Sequence, residues 1–196
     1  MVMQFVKLSG QVLFIMRDEI TKEIWTLIYR ICFYSINDNQ MIWFQYRILY
    51  KILGTRYYLK KLKIEMNSQC SFCHQYEEDL EHLFCNCDKV TQLWDNLMQW
   101  INNKIGLNFK LTNLTKLMGY LANDQHFWPF NLILMTTRKY IFWCSKNGFP
   151  LNIYFLQKEV KKTYLEQETL SRLNSRYDQF NKRWTLWKNI FVEIET

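Results

Sequence analysis

Between Gln69 and Cys87 the chain reads QCSFCHQYEEDLEHLFCNC, and this run limits what the molecule can become more than any other stretch. Cys70, Cys73, Cys85 and Cys87 fall within 18 residues, with His74 and His82 among them. Such a cluster serves haem attachment, thiol redox chemistry or metal binding. Haem attachment through Cys70-x-x-Cys73-His74 needs an oxidising compartment and a second axial ligand. Neither the N-terminus nor the three histidines, His74, His82 and His126, supply them. A redox pair of the thioredoxin kind sits at a helix start after a strand, and nothing before Cys70 alternates as such a strand would. Zinc needs four soft or borderline ligands, and Cys70, Cys73, His82 and Cys87 form the set C-x2-C-x8-H-x4-C.

Two spare donors have to be weighed. His74 adjoins Cys73 and would require a cramped chelate, and Cys85 lies only three residues from His82, so His82 and Cys87 are preferred. Cys85 then reads as a small buried hydrophobe. Between the pairs, EEDLEHLF reads as a short acidic-led helix that packs through Leu80, Leu83 and Phe84 and presents His82 near its end. One structural zinc is expected, because a catalytic site would keep an open position.

Only 5 Gly and 2 Pro in 196 residues leave few tight turns, while 49% apolar and 17% aromatic content argues against disorder. The fold class expected is mainly α, a helical domain organised around one small CCHC zinc knuckle. Three parts are anticipated, either distinct or fused into one continuous globular unit: residues 1–66, an N-terminal helical part, 67–104, the knuckle and the helix after it, and 105–196, a C-terminal helical part. Helices are expected over 20–36, with Ile24, Leu27, Ile28 and Ile31 on one face, and then after a cap at Asp38. Another should run from a cap at Asp88 through Lys104 with Val90, Leu93, Trp94, Leu97, Trp100 and Ile101 inside. Asn113 is a further candidate cap, and long helices are expected at about 129–146 and 151–173. Trp184 and Trp187 read as packing anchors. FWPFNLILM, from Phe127 to Met135, is the richest apolar run, but Arg138 and Lys139 follow too soon for a bilayer span. The N-terminus lacks the basic lead and cleavage site of a signal peptide, so an intracellular location, cytoplasmic or nuclear, is expected, with no membrane partner.

The net charge of +7 suits an anionic partner. Within NQMIWFQYRILYKIL, Met41, Ile42, Ile48, Leu49, Ile52 and Leu53 share one half of the helical circumference, and Trp43, Tyr46, Arg47, Tyr50 and Lys51 the other. Flat rings stack on unpaired bases while interleaved cations meet phosphates. Arg56, Lys60, Lys61 and Lys63 extend the basic character up to the first cysteine. These nine residues are the candidate contacts to RNA or single-stranded DNA. The competing reading has the rings packing on a neighbouring lobe and the lysines offsetting the charge of the thiolates.

With CSFC, EHLFCNC and LWDNLMQW in view, and WFQYRILYKILGT ahead of them, the sequence resembles the C-terminal zinc-binding region of LINE-type (non-LTR) retrotransposon reverse transcriptases. The elements that match that family's pattern are Trp43 to Thr55, the knuckle from Cys70 to Cys87, and Trp94 seven residues after its last cysteine. The resemblance covers residues 23–104. It implies a non-catalytic role beside a retrotransposon polymerase, holding nucleic acid during reverse transcription. No Tyr-x-Asp-Asp polymerase motif, endonuclease-like acidic constellation or P-loop accompanies it, so the chain resembles a fragment or derivative of such a polyprotein and is not expected to be an enzyme. The rivals are a zinc-stabilised protein-interaction module and a non-functional retroelement remnant.

Overall fold

A helix that is apolar on all sides has to be wrapped on all sides. The run after Phe127 is wrapped in this way in a computed structural model that describes residues 22–34, 38–121 and 124–191. In chain order the helices are α1 (Lys22–Tyr34), α2 (Asn39–Leu49), α3 (Arg56–Lys61), α4 (Asp88–Ile105), α5 (Asn113–Met118), α6 (Trp128–Asn147), α7 (Ile153–Leu173) and α8 (Tyr177–Trp184). Short 3-10 turns occupy Gln125–Phe127 and Lys188–Phe191, and His82–Asn86 forms a π turn. No strand lies among the described residues, apart from a single antiparallel bridge between Gln69 and Glu77. The mainly α expectation is borne out.

Helix α6 is the axis of the molecule. It packs against α1, α2, α5, α7, α8 and the π turn, and every residue from Pro129 to Arg138 is buried. Several buried polar groups on it have hydrogen-bond partners. Thr136 and Thr137 donate to the carbonyls of Leu132 and Ile133 one turn back. Arg138 donates to the Lys116 carbonyl at 3.0 Å, while Gln45, buried on α2, donates to the Leu117 carbonyl at 2.9 Å. These two side chains satisfy carbonyls at the end of α5 that the helix itself leaves open. Asn131 then pins the exit from α5 in both directions, accepting from Tyr120 N at 2.6 Å and donating to Tyr120 O at 3.0 Å.

One hydrophobic cluster runs from Ile28 on α1 to Ile190 near the end of the described chain. Phe109, Phe130 and Trp187 stack within it, with Phe130 and Trp187 centroids 5.3 Å apart, and Trp187 Nε1 donates to the His126 carbonyl at 2.7 Å. Trp184 and Trp187 are buried, as expected of packing anchors.

Several boundaries differ from the periodic reading. Asp38 caps α2, accepting from Gln40 N at 2.8 Å, but the helix stops at Leu49 and leaves Ile52 exposed, while Phe44 and Gln45 go inside. Thr112, not Asn113, caps α5. Cys87 rather than Asp88 holds the N-cap position of α4, and Trp100 is only half-buried where Met98 is buried. Leu27 is half-buried, Ile28 and Ile31 are buried, and the expected ends of the first helix at 20 and 36, with the Ile24 side chain, lie outside the described residues.

Gly119 sits at φ +102, ψ 174, a region only glycine occupies easily, and a Cβ there would lie 2.6 Å from Asn131 Oδ1. Gly119→Ala should therefore destabilise the protein by about 2 kcal/mol or more, read as a shift of the urea midpoint.

Candidate metal centre

The two halves of the cysteine-histidine run are brought together by a miniature hairpin. Glu78 N donates to Ser68 O at 2.7 Å and Cys70 N to Tyr76 O at 2.8 Å, on either side of the Gln69–Glu77 bridge. The chain between turns sharply, with His74 at φ 56 and its N–H returning to the Cys70 carbonyl at 3.0 Å. Phe72 N donates to the Cys70 sulfur at 3.4 Å, so the knuckle backbone already supplies a donor to one of the sulfurs.

The second half is not the acidic-led helix expected from EEDLEHLF. Glu77 belongs to the bridge and Glu78 is buried; helix begins at Leu80 and widens into the π turn. Asp79 caps it, accepting from His82 N at 2.7 Å. The turn closes through Cys87 N donating to His82 O at 2.9 Å, five residues back. At α-helical pitch two positions five apart diverge by roughly 140°. The wider turn instead returns Cys87 towards the side on which His82 points.

Cys70, Cys73, His82 and Cys87 converge, each with one donor atom within 4.8 Å of all the others. Cys70 and Cys87 sulfurs are 3.9 Å apart, and Cys73 Sγ lies 3.3 Å from His82 Nε2. Tetrahedral zinc, with bonds near 2.3 Å to sulfur and 2.0 Å to nitrogen, separates sulfur pairs by roughly 3.8 Å and sulfur from nitrogen by roughly 3.5 Å. The donor set and both spacings fit that ion. Cys70, Cys87 and His82 are buried. The Cys87 thiol is held below its ordinary pKa, first by the Cys70 thiol that donates to it and then by the backbone N–H groups of Val90 and Lys89 in the first turn of α4, against burial. Cys70 is correspondingly held well above, by the same contact and by burial.

The spare donors stand apart. His74 is exposed on the turn. Cys85 faces the Asn113 carbonyl at 3.7 Å, and burial pushes its thiol up to about 12.

Sequence reasoning missed Glu78, a fully buried carboxylate held by four donors. Oε1 accepts from Arg56 N at 3.2 Å, and Oε2 accepts from Ser71 N at 3.1 Å, Ser71 Oγ at 2.9 Å and Ser145 Oγ at 2.9 Å. One side chain thus ties the start of α3, the knuckle and α6 together. Nothing in a run of three acidic residues distinguishes the buried one from its solvated neighbours. Trp94 adds a second brace, donating from Nε1 to the Phe84 carbonyl at 2.8 Å.

The nine expected nucleic-acid contacts divide. Trp43, Tyr46 and Tyr50 form a file of rings, 5.3 Å and 4.2 Å between successive centroids, with Trp43 62% exposed. Arg47, Lys61 and Lys63 are exposed, and Lys61 lies 4.4 Å over the Tyr57 ring. Lys60 bonds Ser68 at 3.1 Å and pairs with Glu77 at 3.6 Å. Lys51 is half-buried and its pKa is lowered, chiefly by burial, with Asp79 and Glu81 opposing and Lys61 adding to the shift. Arg56 is half-buried at the start of α3.

Fold and site together define a helical unit closed on a three-cysteine, one-histidine cluster with the donor set and spacing for a metal ion. The family model described as zinc-binding in reverse transcriptase matches residues 12–94, and over those residues the expected resemblance to a reverse-transcriptase zinc-binding region is borne out. No curated protein and no solved structure matches the chain.

Cys87→Ser should abolish zinc retention through gel filtration, whereas Cys85→Ser should keep it, as measured by atomic absorption. Glu78→Gln would turn one acceptor oxygen into a donor facing donors. It should cost about 2 to 3 kcal/mol in urea unfolding of the zinc-loaded protein.

Proposed function

We propose that this chain is a zinc-stabilised, non-catalytic nucleic-acid-binding module of the LINE-type (non-LTR) retrotransposon kind. It holds RNA or single-stranded DNA, largely without sequence preference, beside a reverse-transcriptase polymerase, inside the cell in the cytoplasm or nucleus. The observation that carries this reading is the file Trp43, Tyr46 and Tyr50, with Arg47 exposed on the same helix and Lys61 and Lys63 exposed on the segment that follows it. Rings and cations alternate over one stretch of surface, the combination that stacks bases and meets phosphates. The family match supports the setting. Among the described residues no helix is long and apolar enough to cross a membrane.

One zinc, held by Cys70, Cys73, His82 and Cys87, supplies folding free energy and no chemical step, because all four positions are taken by protein ligands. The chain's own groups do the positioning. Glu78 fixes the start of α3 against the knuckle, so Lys60, Lys61 and Lys63 are presented at a set angle to α2. Removing the metal with a chelator should abolish both the cooperative unfolding transition and nucleic-acid binding, followed by circular dichroism and fluorescence anisotropy.

A salt titration with single-stranded RNA, single-stranded DNA and duplex tests the surface itself. Replacing Lys60, Lys61 and Lys63 together by Ala should flatten the log-affinity against log-salt slope for single strands by about 2. Trp43→Ala should cost about 1 to 3 kcal/mol on single strands with little change in slope and less loss on duplex. If both variants, zinc-loaded and folded, bind as the unmodified chain does, the surface is a docking face for a protein.

A further inference from the structure

Helix α6 lies between α2 and α7, and a cleft of about 910 Å³ opens along it. Its lining carries five cations, Arg47 from α2, Lys139 and Lys146 from α6, and Lys158 and Lys162 from α7. Against them stand three carboxylates, Asp38, Glu159 and Glu166, and Asp38 is already engaged as the cap of α2. Lys146 is drawn to Glu65 at 3.7 Å, whereas among the described residues Arg47, Lys139 and Lys162 form no ion pair. The cations are strung out: Lys158 and Lys162 are one helical turn apart, about 6 Å, and Lys139 and Lys146 two turns, about 10 Å. Such a row suits a chain of anionic groups better than a single anion.

The same cleft holds flat apolar surface in water. Trp143 and Phe149 stack face to face, centroids 4.9 Å apart at 11°, yet each keeps about half of its surface exposed, 51% and 50%, and Phe155 is 58% exposed. An acidic peptide would use the cations but gain little from flat stacked rings, and a small anion would use neither the rings nor the length. Only a single strand offers a phosphate at every link and an unpaired π-face at every base. Arg47 is shared with the α2 surface that carries the ring file, so the two surfaces meet.

We propose that the cleft between α2, α6 and α7 is a seat for single-stranded nucleic acid, with a base stacked on the Trp143–Phe149 pair and phosphates at Arg47, Lys139, Lys158 and Lys162. The inference rests on the nucleic-acid reading of the chain and assigns it a second contact surface that adjoins the first at Arg47.

The test uses the zinc-loaded full chain with labelled oligouridine, oligothymidine and a duplex, read by anisotropy across a salt series. Replacing Lys139, Lys158 and Lys162 together by Ser should flatten the slope by about 2. Trp143→Ala should weaken single-strand binding roughly 5- to 150-fold and leave duplex nearly unchanged, with Trp143→Phe recovering part of the loss. In the unmodified protein, ultraviolet cross-links from an iodouridine oligonucleotide should fall between Trp143 and Phe155, a readout independent of how the variants fold. If the cleft variants bind as the unmodified chain does while the Lys60, Lys61 and Lys63 variant is weakened, the cleft is not a seat and the nucleic-acid reading stands. If the unmodified chain binds no oligonucleotide at all, both fall. Displacement of bound oligonucleotide by a short polyglutamate peptide at lower concentration than by unlabelled oligouridine would overturn the cleft in favour of a protein ligand.

Discussion

Three sulfurs and an imidazole nitrogen packed within 4.8 Å of one another are an unfavourable arrangement unless a cation sits among them. Ionised thiols so close repel, and protonated ones are poor partners for each other in a buried place. The fold nevertheless directs several independent devices at that convergence: the bridge at Gln69 and Glu77, the left-handed turn at His74, the Asp79 cap and the wide turn after His82. Glu78 carries the constraint outward. Through Ser145 it reaches α6, the helix on which most others pack, and through Arg56 N it reaches the basic segment. Order at the knuckle and order in the helical body are therefore linked through this carboxylate, alongside the Trp94 brace and the packing of the π turn on α6.

What the sequence made legible follows from how local the cause is. The convergence of Cys70, Cys73, His82 and Cys87 could be read because spacing of soft donors is itself the signal. The long helices α6 and α7 could be read because apolar recurrence is local. Glu78 could not, since its burial is decided by Ser145, 67 residues away in the chain. Gln45 is a similar case: on α2 it looks like a surface residue, and it is buried because the end of α5 presents a carbonyl to it. Thr112 displaced Asn113 as a cap because both have capping side chains and periodicity does not separate neighbours.

The charged surfaces show the same limit from the other side. Four cations in Arg56, Lys60, Lys61 and Lys63 look like a patch in one dimension, yet in three Lys60 has Glu77 and Ser68 beside it. Lys139, Lys158 and Lys162 look like ordinary solvated helix positions in sequence. Packing of α2 and α7 on either side of α6 sets them around one cleft. Charge density along a chain and charge density on a surface are different quantities, and only long-range packing converts one into the other.

The wide turn at His82–Asn86 has a consequence for how this region tolerates changes of length. Loops elsewhere on a protein accept insertions because their closure costs little extra per residue. Here the turn is bounded by two ligands and closed by a bond spanning five residues, from Cys87 N to His82 O. Losing one residue from Leu83, Phe84, Cys85 or Asn86 would restore the ordinary helical pitch and swing the first turn of α4 round its axis, carrying Val90, Leu93 and Trp94 off the core together. The spacing between His82 and Cys87 is thus also the register of α4, and a reading-frame-preserving deletion there would be felt along the whole of that helix.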